Sequence, residues 1–236
     1  MTAAGPARLA SLLAVRIWSG ELAAGTRLEP ERQLARTLRA SRPTVRAALH
    51  RLEAAGLLQV LRGRAGGAVV LDAVVAPSLL RPDPEDDGHD VATLLEARRT
   101  LEPAVACLAA ERATAADLAL LQRAVAEQRR IAGWETDLQR DARFHLLLAR
   151  ATHNSVVERT MRDLHVDLYR RRYGLLRAPH STALVAEIHA RTLAAVESGD
   201  PARIERDLRE HCGWLERAYA GGRARRERVA DVATSG

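Results

Sequence analysis

Asp141 and His145 stand four residues apart in the stretch DARFH, and His189 and His211 follow in later segments of helical spacing. On a helix, residues i and i+4 lie one above the other on the same face. One carboxylate and three imidazoles meeting at a point form a donor set for Zn²⁺ or another borderline divalent ion, with Ni²⁺ or Mn²⁺ as alternatives. Spacing alone leaves a second reading open. D-x-x-x-H is common on helices, and a single helical histidine is as readily a packing or surface group.

A second group of residues suits nucleic acid. The stretch 41–58 reads SRPTVRAALHRLEAAGLL. Ser41 can cap a helix, and Pro43 fits its first turn, where a missing N–H costs nothing. Arg42 and Arg46, four apart, share one face, while Val45, Leu49 and Leu52 share another. Arginine can grip the O6/N7 edge of guanine with two hydrogen bonds, and Ser41 or Thr44 can reach a phosphate. Further on, Arg62 and Arg64 flank Gly63 in a glycine-rich turn, a composition that suits a wing in a minor groove. The competing reading is an amphipathic helix whose arginines face solvent.

Charge placement favours the first of these readings. Residues 1–71 hold 11 Arg against 4 Glu, a net of +7, and the remaining 165 residues hold 25 Arg against 26 acids. Positive charge gathered in the first third points to a polyanionic partner there. All 36 basic residues are arginine, a usage expected of a GC-rich genome, so no single arginine marks a choice over lysine.

These groups need elements to hold them. Apolar spacing predicts helices over 7–19, 31–38 and 42–55, the last stopped by Gly56. LLQVL (57–61) and AVVLDAV (68–74) read as a hairpin around RGRAGG. Three helices and a hairpin make a winged helix-turn-helix, in which the second helix of the turn enters the major groove by its N-terminal end. Residues 76–89, rich in proline and acid, read as a linker. Beyond them, helices are predicted near 90–112, 115–131, 134–152, 154–176, 181–198 and 201–220. The fold expected is mainly α: a DNA-binding head over 1–75, an all-helical bundle over 90–222 and a frayed tail over 223–236. Two cysteines give no disulfide framework, no apolar run approaches the ~18 residues of a membrane span, and no signal peptide is evident. A cytoplasmic protein is expected.

With these motifs in hand, ELAAGTRLEPERQLARTLRASRPTVRAALHRLEAAGLL resembles the N-terminal domain of the GntR family of bacterial transcription regulators. The resemblance implies that Arg32, Arg42, Thr44 and Arg46 contact operator DNA, with the wing near Gly63. It departs from the pattern twice. Leu28-Glu29-Pro30-Glu31 stands where the family has Leu-Pro-Ser-Glu, so the usual capping serine is missing. Arg39 holds the turn position usually given to glycine.

Residues 90–220 resemble the FCD domain of the FadR subfamily. Glu96, Arg98 and Glu102 match its E-x-R-x-x-x-E. Asp141, Phe144 and His145 match D-x-x-F-H, followed by Asn154. His189, Asp200 and His211 match H-x₁₀-D-x₁₀-H. The resemblance implies a metal on Asp141, His145, His189 and His211, with a small carboxylate effector against it. Arg98 would complement the carboxylate and Asn154 would line the cavity. Intrahelical pairing of Arg98 with Glu96 or Glu102 is an equal alternative. The remaining histidines, His165 among them, read as packing or surface groups. The function implied is a homodimeric, effector-responsive transcription factor, commonly a repressor, and not an enzyme. Two rivals share the same residues: a metal-dependent hydrolase and a regulator whose signal is the metal itself.

Overall fold

The computed structural model describes residues 5–61, 67–80, 90–130, 133–175 and 182–234. The chain divides into two compact units, Met1–Asp87 and Gly88–Gly236.

In the first unit, α1 (Pro6–Trp18) opens with proline at its first position, and α2 (Glu31–Thr37) and α3 (Arg42–Ala54) form the turn motif. Both α1 and α2 pack on α3. Leu13, Trp18, Val45, Leu52 and Leu57 are fully buried, so apolar burial holds the three helices together. Strands β1 (Leu58–Leu61) and β2 (Gly67–Val70) pair antiparallel, with Leu58 opposite Val70 and Leu61 opposite Gly67. Arg27 bridges to Val69 on the hairpin's free edge, which the sequence showed only as loop. The segment around it is too short to display an alternating pattern.

Arg39 has φ 49°, so the turn between α2 and α3 keeps the left-handed conformation that glycine usually fills. The chain accepts the strain without reshaping the turn. Arg39→Gly should therefore stabilise the head by about 1 kcal/mol, less the extra entropy glycine loses on folding. Urea denaturation followed by circular dichroism measures it.

The expected linker is partly structured. A helical turn, α4 (Pro77–Leu80), packs on α1, Leu80 is buried, and Ser11 Oγ donates to the Leu80 carbonyl at 2.7 Å. The head therefore extends past residue 75, because Leu79-Leu80 supplies apolar surface within a proline-rich stretch.

The second unit contains α5 (Val91–Arg112), α6 (Ala115–Gln128), α7 (Trp134–Arg150), α8 (Ser155–Leu175), α9 (Thr182–Ser198) and α10 (Pro201–Thr234). Local chemistry sets their ends. Asp90 caps α5 through the Thr93 amide at 2.7 Å, and Thr114 with Asp117 forms a reciprocal capping box on α6. Gly199, at φ 67°, ends α9, and Pro201 starts α10. One apolar cluster gathers Leu121, Phe144, Leu148, Ile204 and Leu208; another gathers Leu94, Met161, Leu168 and Leu215. The backbone of α10 continues helical to Thr234, through the residues read from sequence as a frayed tail. The glycine pair 221–222 costs about 1 kcal/mol per residue in a helix and does not by itself end one flanked by Arg, Ala and Glu.

Candidate functional site

In the head, the entrance of α3 is built as its residues require. Ser41 Oγ accepts from the Thr44 amide at 3.2 Å and contacts Thr44 Oγ1 at 2.7 Å. Ser41, Arg42 and Arg32 are exposed and Thr44 is half-buried, while Val45, Ala48, Leu49 and Leu52 face the core. Arg46, expected to contact DNA, is exposed and also pairs within the motif. Its guanidinium donates to Glu31 of α2, with Nη2 at 2.9 Å from Oε2. That hydrogen bond holds the Glu31 carboxyl below the ordinary range and ties the two helices of the motif together. No side chain caps α2 at Pro30, in keeping with the missing serine. Arg62, Gly63 and Arg64 lie outside the described residues.

In the helical unit, Asp141, His145, His189 and His211 converge. Their ligating atoms lie within 4.8 Å of one another, and all four side chains are buried. Helix α7 supplies Asp141 and His145 one turn apart, α9 supplies His189 and α10 supplies His211. Three helices with separate apolar stripes thus aim four polar side chains at one point.

Neighbouring groups orient each ring. Gln128, buried, donates its amide N–H to the Arg140 carbonyl at 2.9 Å. Its Oε1 is thereby turned toward His189 and accepts from Nδ1 at 2.6 Å. Thr192 gives its hydroxyl proton to the Ile188 carbonyl at 3.1 Å, so it accepts from His211 Nδ1 at 3.3 Å. Glu102 Oε1 stands 3.1 Å from His145 Nδ1. For His189 and His211 the proton belongs on Nδ1 and the Nε2 lone pair faces the shared centre; His145 Nδ1 makes no hydrogen bond, and its tautomer follows from the arginine N–H that Arg98 directs at its Nε2. Phe144 stacks on His189 with centroids 4.2 Å apart and fixes that ring further.

Two arginines complete the site. Arg98, fully buried, donates Nε to Glu102 Oε1 at 2.7 Å. Its Nη2 lies 2.6 Å from His145 Nε2 and 3.0 Å from His211 Nε2, as a donor to two ring lone pairs. Arg172 of α8 hydrogen-bonds Asp141 Oδ2. Arg98 therefore forms the intrahelical pair with Glu102 and also reaches His145 and His211.

Electrostatics prepares the same donors. Burial, then the charge of Arg98, pushes the His145 and His211 imidazoles well below their ordinary range. Burial also brings His189 down to about 4, against the opposing pull of Asp141. Burial would raise the Asp141 carboxyl, but Arg172 and Arg98 hold it well below the usual range. Neutral imidazoles and an ionised carboxylate are the forms a divalent ion binds. His189 Nε2 is buried without a hydrogen-bond partner, so the donor set also contains a lone pair with no competing use. The residues fit a divalent ion.

Asn154 does not join this group. Its side-chain oxygen accepts from the Val156 amide at 3.0 Å and caps α8. Conversely, the sequence concealed Glu102 as a hub. It accepts from Arg98, from His165 Nε2 at 3.1 Å and from the Cys212 thiol at 3.4 Å. His165, read as a packing or surface residue, is buried and stacks on His145 with centroids 4.8 Å apart. His165 and Arg172 are seven residues apart on one helix, a two-turn spacing that marks a shared face. Gln128 and Thr192 carried no comparable signal.

Second-layer partners of metal-bound histidines typically matter 10–100-fold. Gln128→Ala, which leaves all four candidate ligands in place, should weaken affinity for added zinc, used as a probe ion, by about that factor. Competition against a chelating dye measures it.

Comparison with known proteins agrees with this geometry. The family model described as bacterial regulatory proteins, gntR family, matches residues 7–67, and that of the FCD domain matches residues 93–213. The chain is 33% identical over 211 residues to the HTH-type transcriptional regulator LutR of Bacillus subtilis, covering 87% of this chain and 96% of that one. It is 32% identical over 232 residues to the putative L-lactate dehydrogenase operon regulatory protein of Escherichia coli, covering 89% and 86%. Its fold is similar to that of Streptococcus agalactiae GntR, with a TM-score of 0.50 at 24% identity over 90% of this chain and 99% of that one. E. coli McbR/YncC gives a TM-score of 0.51 at 21% identity, covering 92% and 98%. Among the described residues, no helix is long and apolar enough to cross a membrane. The two family matches and the likeness to LutR over most of both chains make this protein, with its helix-turn-helix head and its helical bundle, a transcriptional regulator of the GntR family with an FCD effector domain.

Proposed function

We propose that this regulator binds operator DNA as a homodimer and that a small carboxylate, held against a divalent ion, sets its operator affinity. Asp141, His145, His189 and His211 would hold the ion, which supplies a Lewis-acidic point for a carboxylate oxygen. The observation that carries this reading is the convergence of four buried candidate ligands beside the Arg98 guanidinium, which would yield the His145 and His211 lone pairs to the ion and turn its N–H groups to the carboxylate. Charge balance supports it. With neutral imidazoles, Arg98 is matched by Glu102 and Arg172 by Asp141. A divalent ion adds two positive charges to a buried centre, of which a monocarboxylate offsets one and a dicarboxylate both. That argument favours an organic effector over a signal carried by the metal alone.

The same geometry weighs against hydrolysis. Glu102 is the carboxylate nearest His145 Nδ1; burial would raise it, but Arg98 together with His165 and His211 brings it down to about 2. So weakly basic a group does not serve as a general base near neutral pH.

On the DNA side, exposed Ser41, Arg42 and Arg32 would meet the operator, with Thr44 beside them and Arg46 holding Glu31. The wing residues Arg62, Gly63 and Arg64 would follow the adjacent groove. A coupling of about 1–3 kcal/mol between effector and operator changes affinity 5–150-fold. The test is a gel shift on the DNA upstream of the protein's own gene, with zinc-loaded protein and a panel of 2-hydroxy acids and dicarboxylates. L-lactate comes first, given the name of the E. coli relative. A selective shift that one acid alters supports the proposal. Absence of sequence-selective binding under every condition defeats it.

A further inference from the structure

We infer that the groove between α9 and α10 is the port through which ions and acids reach the buried centre, and that ion pairs from Arg191 to Glu210 and Asp207 close it. The inference rests on the metal-centre reading above and adds the route. All four candidate ligands are buried, so any ion that exchanges must pass through an opening. His211 lines a surface cavity of about 350 Å³ bounded by Leu184, Ile188, Arg191, Glu210 and Trp214. The imidazole that borders this cavity also turns its Nε2 toward Arg98, so one ring spans from groove to centre.

The walls suit a small acid. Leu184 and Ile188 from α9 and Trp214 from α10 offer apolar surface for a carbon skeleton, and Arg217 adds positive charge. Across the opening, Arg191 of α9 pairs with Glu210 of α10 and stands 3.9 Å from Asp207. The Arg191 and Glu210 side chains are 52% and 58% exposed. Exposed pairs of this kind are weak and reform readily. They suit a closure that opens without unfolding the bundle, and no candidate ligand takes part in them.

The test uses the full-length protein loaded with one equivalent of Zn²⁺ and mixed rapidly with excess chelating dye. Arg191→Ala and Glu210→Gln should each release zinc several-fold faster than wild type. Leu184→Trp, which narrows the opening, should release it several-fold more slowly. Equilibrium zinc affinity and helical content should stay within about twofold of wild type, because the ligands are untouched. Zinc bound at one per chain but released at the wild-type rate by all three variants overturns the port. Faster release matched by an equal loss of equilibrium affinity also overturns it, since that marks damage to the site. Failure of wild type to bind zinc at all defeats the metal-centre reading, and the port with it.

Discussion

Glu102→Ala should destabilise the helical unit by about 3–5 kcal/mol, a large share of the 5–15 kcal/mol that holds a typical domain. Glu102 and Arg98 are both essentially inaccessible to water and joined at 2.7 Å. Removing the carboxylate leaves a guanidinium that cannot shed its proton in a site closed to solvent. His165 and the Cys212 thiol lose their acceptor in the same step. The double replacement Arg98→Met with Glu102→Leu should recover most of the loss, because apolar residues of similar volume often replace a buried ion pair at little cost. That recovery would show that the pair is kept for the site and not for the fold. Urea unfolding monitored at the helical band gives both values. A single variant as stable as wild type would contradict the buried-pair geometry.

The legible part of this protein was the part written in short-range patterns. Ser41, Pro43 and Gly56 mark the ends of the reading helix by local backbone chemistry, and the structure places them so. Asp141 and His145 were legible because one helical turn fixes their relation. His189 and His211 stood out as histidines on later helices, but only family spacing tied them to the same centre, since no local rule relates residues on three different helices. The supporting groups were hidden for the same reason. Gln128 sits 61 positions from the ring it orients, and Glu102 sits 63 from His165. Such pairings are products of helix packing. Asn154, read as a cavity residue, has a local task as well: its side chain satisfies amides at the start of α8. Arg46 likewise met Glu31, fifteen residues back, before any phosphate.

Acid should unfold the metal-free helical unit in a window set by its histidines. Burial, reinforced by Arg98, lowers His145 and His211 well below the ordinary value of 6.5 and His189 to about 4. In the unfolded chain these rings take up protons near pH 6.5, while in the folded chain His189 does not until about pH 4 and His145 and His211 resist well below their ordinary range. Between those values the unfolded state binds more protons, so stability rises with pH. The contribution is complete above pH 6.5 and is lost as pH falls toward 4. For His189 alone the gap amounts to about 3 kcal/mol. Glu102, held near 2 against an ordinary 4.5, extends the loss below pH 4.5 in the same direction. The melting temperature of metal-free protein should therefore fall steeply between pH 6.5 and 4. Zinc should raise it most at the neutral end, because protons compete with the ion for the same nitrogen atoms. A melting temperature that stays level from pH 7 to 5 would show that the three rings are not held neutral. His189→Gln should flatten part of the slope, since glutamine has no proton to gain at that position.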